Sequence, residues 1–186
     1  MKSRFVLMAS LVAAAAGAAC GETPAPTAPG TSPFVTQFSG LWSGSMQLTA
    51  VAGGECVGAE FEERRTTPSG ADQGTITITQ ADSDVTAVIR SSTTGLTCTY
   101  NGNGSPLTYS LSAVECNGGQ ILHQCSNGQS RVLELVGSTM TGTVAAGTTS
   151  GTVTTSYNVF ADSTLELARR PIAGLTLQHQ FTAVRR

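Results

Sequence analysis

Two histidines, five cysteines and one dense run of charge are the side chains of this 186-residue sequence best suited to chemistry. His123 stands two residues before Cys125, in a glycine-rich stretch that opens at Cys116. A metal site there would use His123, Cys125 and Cys116, but the close Cys-x-x-Cys pairs of structural zinc sites are missing, and no metal is expected. His179 lies among apolar residues at alternating positions, the pattern of an interior histidine that could serve as a polar anchor in a ligand cavity. His123 reads as a solvated loop residue. Glu60, Glu62, Glu63, Arg64 and Arg65 form the charge cluster, read as a solvated loop or short helix, or else as a contact patch for a protein partner. Serines and aspartates are plentiful, but a triad needs nucleophile, base and orienting acid brought together, and no Gly-x-Ser-x-Gly elbow marks one. We therefore expect no enzyme, no catalytic residue and no cofactor.

The charge balance narrows the classes further. Lys2 is the only lysine, which removes Schiff-base and Walker-type lysine chemistry beyond the leader. Of ten basic residues Lys2 and Arg4 precede the first apolar run, leaving eight arginines against twelve acids. A chain with that acidic excess lacks the basic face that nucleic acid requires.

Residues 1–19 have the form of a secretory signal: Lys2 and Arg4, then an apolar core from Phe5 to Ala16, then small residues. Five cysteines leave one over in an oxidising compartment unless one is consumed otherwise. Setting Cys20 aside leaves Cys56, Cys98, Cys116 and Cys125, for which three pairings exist. Cys116 and Cys125 bracket one short excursion, so the expected pairs are Cys116–Cys125 and Cys56–Cys98. Residues 20–37 carry prolines at 24, 26, 29 and 33 among Thr, Ala and Gly, the composition of an extended, semi-stiff tether.

Residues 38–186 must position whatever function exists. Charged residues are only 12% and aromatics 5%, and Thr-rich runs alternate polar and apolar at period two. Trp42, Gly44, Met46 and Leu48 share one face of the first such run. Further strands are expected at 75–79, 85–91, 95–101, 107–113, 131–136, 139–145, 151–160 and 175–185, with 165–167 as a candidate continuation. Turns are expected at Asp82–Asp84, Asn101–Gly104, Gly137–Ser138 and Gly147–Ser150. Residues 59–66 are the one place for a short helix, 68–72 form a loop, and 116–130 form a loop-like excursion. Consecutive antiparallel hairpins of eight to nine strands hide their edges best by closing on themselves. The expected fold is all-β, an antiparallel up-and-down β-barrel, preferred over a two-sheet Greek-key sandwich.

Two resemblances refine this reading. Gly17-Ala18-Ala19-Cys20-Gly21 resembles the lipobox of bacterial lipoproteins, whose cysteine becomes the lipidated N-terminus; Gly17 departs from the usual aliphatic. Gly21 after the cysteine implies no retention in the inner membrane. Gly40-Leu41-Trp42 resembles the Gly-x-Trp motif that opens the first strand in lipocalins and the wider calycin group of avidins, fatty-acid-binding proteins and small bacterial protease inhibitors. In that group the tryptophan closes one barrel end and an arginine late in the last strand packs across it, which makes Arg185 the implied partner of Trp42. The expected protein is a monomeric lipoprotein of the bacterial cell envelope, held at the outer membrane by its lipid, or secreted if Cys20 is unmodified. Its lipocalin-like barrel would bind a small apolar ligand, with Met46, Tyr157, His179 and Phe181 as cavity residues. The alternatives are a protein-binding inhibitor or adaptor and a structural envelope protein.

Overall fold

The structure is a computed structural model that describes residues 40–66, 71–91, 96–105, 107–161 and 170–186. The leader, Cys20, the tether and residues 165–167 lie outside the described residues. Among the described residues, nine strands and one helix follow in the order β1 (Gly40–Gly53), α1 (Glu55–Thr66), β2 (Ala71–Ala81), β3 (Asp84–Ser91), β4 (Thr97–Gly104), β5 (Thr108–Asn117), β6 (Gln120–Gln124), β7 (Ser130–Ala145), β8 (Thr148–Ala161) and β9 (Ala173–Arg185). All pairings are antiparallel, in the sheet order β5-β4-β3-β2-β1-β9-β8-β7-β6. A further pairing of Thr108–Ser112 with Thr139–Thr143 joins β5 to β7. Eight strands thereby close into an up-and-down barrel consistent with the calycin type, and β6 is an added strand on the first half of β7.

Closure follows from alternation. Trp42, Met46 and Leu48 of β1, Ile76 and Ile78 of β2, and Leu175, Leu177, Phe181 and Ala183 of β9 are buried, while their neighbours are mostly exposed polar residues. Curling the ribbon removes every such apolar face from water at once. The first and last strands meet along most of their length, with Trp42 opposite Arg185 and Met46 opposite Phe181.

The interior is filled in two layers. One holds Trp42, Ile76, Ile78, Val85, Tyr109, Leu111, Met140 and Phe181. The other holds Leu48, Leu133, Tyr157, Val159 and Leu175 beneath the helix, together with Val57 of the helix itself. Because α1 carries only Val57 and Gly58 as buried residues, it cannot stand alone and is held by what it covers. A Cβ on Gly58 would collide with the Gly53 carbonyl, so glycine lets the helix press against the end of β1. The chain turns into the helix through Gly53, Gly54 and Glu55, all at positive φ (75°, 89° and 51°).

Several local expectations are corrected. The helix begins at Glu55, four residues before the expected start, and β2 already includes Ala71 and Asp72. Asn101–Gly104 is not a turn but the second half of β4; the chain reverses after it, where the Ser105 N–H donates to the Thr108 carbonyl. Gly102 serves packing, since a Cβ there would collide with the Ser110 carbonyl of β5. Gly137–Ser138 does not turn the chain either. A bulge at Val136 carries β7 through as one 16-residue strand. The bulge shifts the alternation so that Leu133 before it and Ser138, Met140 and Val144 after it all point inward. Residues 116–130 contain β6, a strand rather than a loop throughout.

Candidate ligand cavity

The two core layers do not meet everywhere. Between them lies a cavity of about 130 Å³. Met46, Ile89, Cys98, Tyr100 and Val153 line it from one layer, and Tyr157 and Leu177 from the other; Thr155 and His179 complete the wall. Phe61 of α1, Leu96 just before β4, and Ile121 of β6, all half-buried, form the outer part of the lining. The opening follows from the sheet. β5 leaves β7 after Ser112, and from there β7 has β6 as its neighbour on that side.

Polar groups in this wall are few and mostly engaged. The Tyr100 hydroxyl and Ser138 Oγ lie 3.0 Å apart, and Ser138 Oγ also reaches Thr155 Oγ1 at 2.9 Å and donates to the Thr154 carbonyl at 3.2 Å. Burial raises the pKa of Tyr100, offset in part by its bond to Ser138. Tyr157 is 7% exposed, and its hydroxyl makes no hydrogen bond among the described residues. Burial, with a smaller contribution from Tyr100, pushes its pKa up to about 12, so at neutral pH it is a proton donor. His179 faces inward between Leu48 of β1 and Val153 of β8. Beside it, Thr49 forms a β1 bulge and donates to the Gln178 carbonyl at 3.1 Å.

The expected site residues fall into three groups. Met46, Tyr157 and His179 line the cavity together. Phe181 does not; it is 3% exposed deeper in the Trp42 layer, under Gly151 of β8. Gly40, Trp42 and Arg185 meet at the far end: Trp42 is 1% exposed, and the Arg185 guanidinium carbon lies 6.0 Å from its ring centre. Gly40, at φ 141°, leaves room for that guanidinium, since a Cβ there would lie 2.9 Å from Arg185 Nε.

The disulfides are not those expected. Cys98 pairs with Cys116, and Cys56 with Cys125. Cys98 and Cys116 stand directly opposite each other on β4 and β5, with Cα atoms 4.1 Å apart. The β6–β7 hairpin carries Cys125 away from Cys116 to the first turn of α1. Proximity in sequence was the wrong guide because the sheet register sets which Cβ atoms face each other.

Around Cys56–Cys125 the helix is fastened by charge as well. Glu60 meets His123 Nε2 at 2.7 Å through one carboxylate oxygen and accepts the Ser126 N–H through the other. Those two bonds, the Ser126 one foremost, lower the Glu60 pKa. Arg131 of β7 reaches Glu55 at 3.2 Å. His123 is thus not a solvated loop residue; its side chain is 14% exposed and its ring stacks 6.1 Å from Phe61. Phe61, Ile121 and the Glu60–His123 pair escaped the sequence reading, since nothing local shows that residues 60 and 123 are neighbours.

A larger and more open depression, about 600 Å³, lies on the outer wall over Gly142 and Gly151. Exposed Thr141, Thr143, Ser150, Gln180 and Thr182 border it, a wet surface without the enclosure of the inner cavity. No protein-family model, curated protein or solved structure matches this chain.

Proposed function

We propose that this protein is an exported lipoprotein of the bacterial cell envelope, tethered through Cys20, whose barrel holds one small, mostly apolar molecule between its two core layers. The observation that carries the reading is the cavity itself: apolar over most of its wall, reached past Phe61 and Ile121, with the Tyr157 hydroxyl uncommitted. Its size limits the ligand. About 130 Å³ is close to the roughly 150 Å³ void that takes up benzene in an engineered protein core. The occupant is therefore a single ring or a short alkyl chain, carrying one hydrogen-bond acceptor for the Tyr157 phenol. The tether supports the envelope reading, and so does cysteine parity: the four barrel cysteines pair among themselves, which leaves Cys20 for the lipid.

Calorimetric titration of the exported Cys20→Ser chain tests this reading. Acetophenone, which offers a carbonyl acceptor, should bind more tightly than ethylbenzene, which offers none, by about fivefold for one hydrogen bond of roughly 1 kcal/mol. Tyr157→Phe should erase that difference and keep the binding of ethylbenzene. If neither compound binds, and solvent extracts of the denatured protein hold no small molecule, the reading is wrong.

A further inference from the structure

We propose that Cys56, Glu60, His123 and Cys125 form a four-ligand site for a divalent transition-metal ion, Zn²⁺ by its chemistry, which becomes available when the Cys56–Cys125 disulfide is reduced. One ligand atom from each of Glu60, His123 and Cys125 lies within 4.8 Å of the other two. Cys56 Sγ, bonded to Cys125 Sγ, sits at the edge of that cluster, outside the three atoms that lie mutually within 4.8 Å. Around a tetrahedral zinc, with bonds of about 2.0–2.3 Å, ligand atoms stand roughly 3.3–3.8 Å apart. Cleaving the S–S bond lets the two sulfurs separate to that distance, and the Glu60 oxygen and His123 nitrogen, 2.7 Å apart, must open slightly to reach it.

The ligands are also arranged as chelating pairs. Cys56 and Glu60 are four residues apart on α1 and therefore share one face of the helix. His123 is on β6 and Cys125 stands just past its end, and their ligand atoms lie within 4.8 Å of each other. Two elements thus each offer two donors across one gap. The Ser126 N–H, bonded to one Glu60 oxygen, already orients the carboxylate from outside, as partners of metal ligands do. Cys125 is 3% exposed, and Glu60 and His123 are half-buried, so the site is sheltered yet open to an entering ion. Two thiolates, an imidazole and a carboxylate suit zinc and cobalt(II) and are too soft for calcium or magnesium.

The redox step balances with a dithiol reductant. Its two thiols supply two electrons and two protons; the Cys56–Cys125 bond breaks, both cysteines become thiols, and the reductant closes its own disulfide. Metal binding then releases the two thiol protons. The consequence is a helix anchor with two forms, one a covalent bond and the other a metal ion, above a barrel closed by its own ladders and by Cys98–Cys116.

Cobalt(II) is the probe, because its d–d and thiolate-to-metal absorption report geometry and sulfur ligation where zinc is silent. The full Cys20→Ser chain is reduced with a phosphine and titrated anaerobically. One cobalt per chain should bind with the spectrum of a tetrahedral, thiolate-ligated site, and zinc should displace it; the oxidised chain should show no such spectrum. His123→Gln and Glu60→Gln should each weaken binding at least tenfold. A Cys98→Ser/Cys116→Ser chain that retains its barrel circular dichroism should bind as tightly as the parent. If that chain does not fold, the His123→Gln comparison decides alone. Absence of tetrahedral cobalt absorption in the reduced chain, undiminished binding by His123→Gln, or loss of binding in a folded Cys98→Ser/Cys116→Ser chain would each overturn the proposal.

Discussion

Filling the cavity should strengthen the fold and close the site in one step. Val153 is the position for it: buried on β8, opposite Met140 on β7 and His179 on β9, and part of the cavity wall. At roughly 24 cal/mol per Å³, a cavity of about 130 Å³ sets an upper bound of about 3 kcal/mol on the packing that filling it could recover, because it opens outward past Phe61 and Ile121. Val153→Phe puts a ring into that space. If the ring fills about half of it, some 1.5 kcal/mol is recovered, and adjustment of neighbouring rotamers takes back a few tenths. The net gain is about 1 kcal/mol, or a Tm higher by about 2–4 °C for a domain of this size. Urea denaturation with a common m-value measures the first quantity and thermal melts the second. The same variant should show no heat of binding with ethylbenzene. In a core without a void the ring would instead overpack it, at a cost of about 1–3 kcal/mol. A Val153→Phe chain destabilised by that amount, and still binding ethylbenzene like the parent, would refute both the void and its assignment.

Two further outcomes follow from the buried hydroxyls. Ser138→Ala removes the shared partner of Tyr100 and Thr155 and should cost about 2 kcal/mol in urea denaturation; adding Tyr100→Phe should recover part of that loss, because one orphaned hydroxyl goes with it. Tyr109, whose hydroxyl lies 2.7 Å from Thr149 Oγ1, and Tyr157 both have pKa values raised to about 12 by burial. A folded-state pKa above the unfolded value of 10.0 means stability fully present below pH 10 and lost as the pH rises through about 12. Melts across that range should show the loss, and it should shrink in Tyr157→Phe; a Tm independent of pH there would contradict the burial of both phenols.

The period-two alternation was enough to find the ribbon, and the Gly-x-Trp resemblance, which implies Arg185 as partner of Trp42, pointed to the two strands that must meet. The alternation is local: a strand shows its buried face in every second residue, whatever it pairs with. Local signals failed where two structures share one signature. Asn101–Gly104 has turn composition but is strand, because Gly102 answers to a close approach from β5 that only the register reveals. Gly137–Ser138 looked like a turn because a bulge interrupts alternation just as a turn does.

What the chain decides by itself is therefore the class of fold: alternating apolar residues, few charges and short links lead to a closed antiparallel ribbon. What only the tertiary structure decided is which distant residues become neighbours. Cys56 finds Cys125 across 69 positions, Glu60 finds His123 across 63, and the helix settles over the barrel end with Phe61 at the cavity's edge. Pairing across such separations depends on strand register, on one bulge in β7 and on how two core layers fail to fill the space between them. Those are properties of the assembled volume, which no stretch of sequence contains.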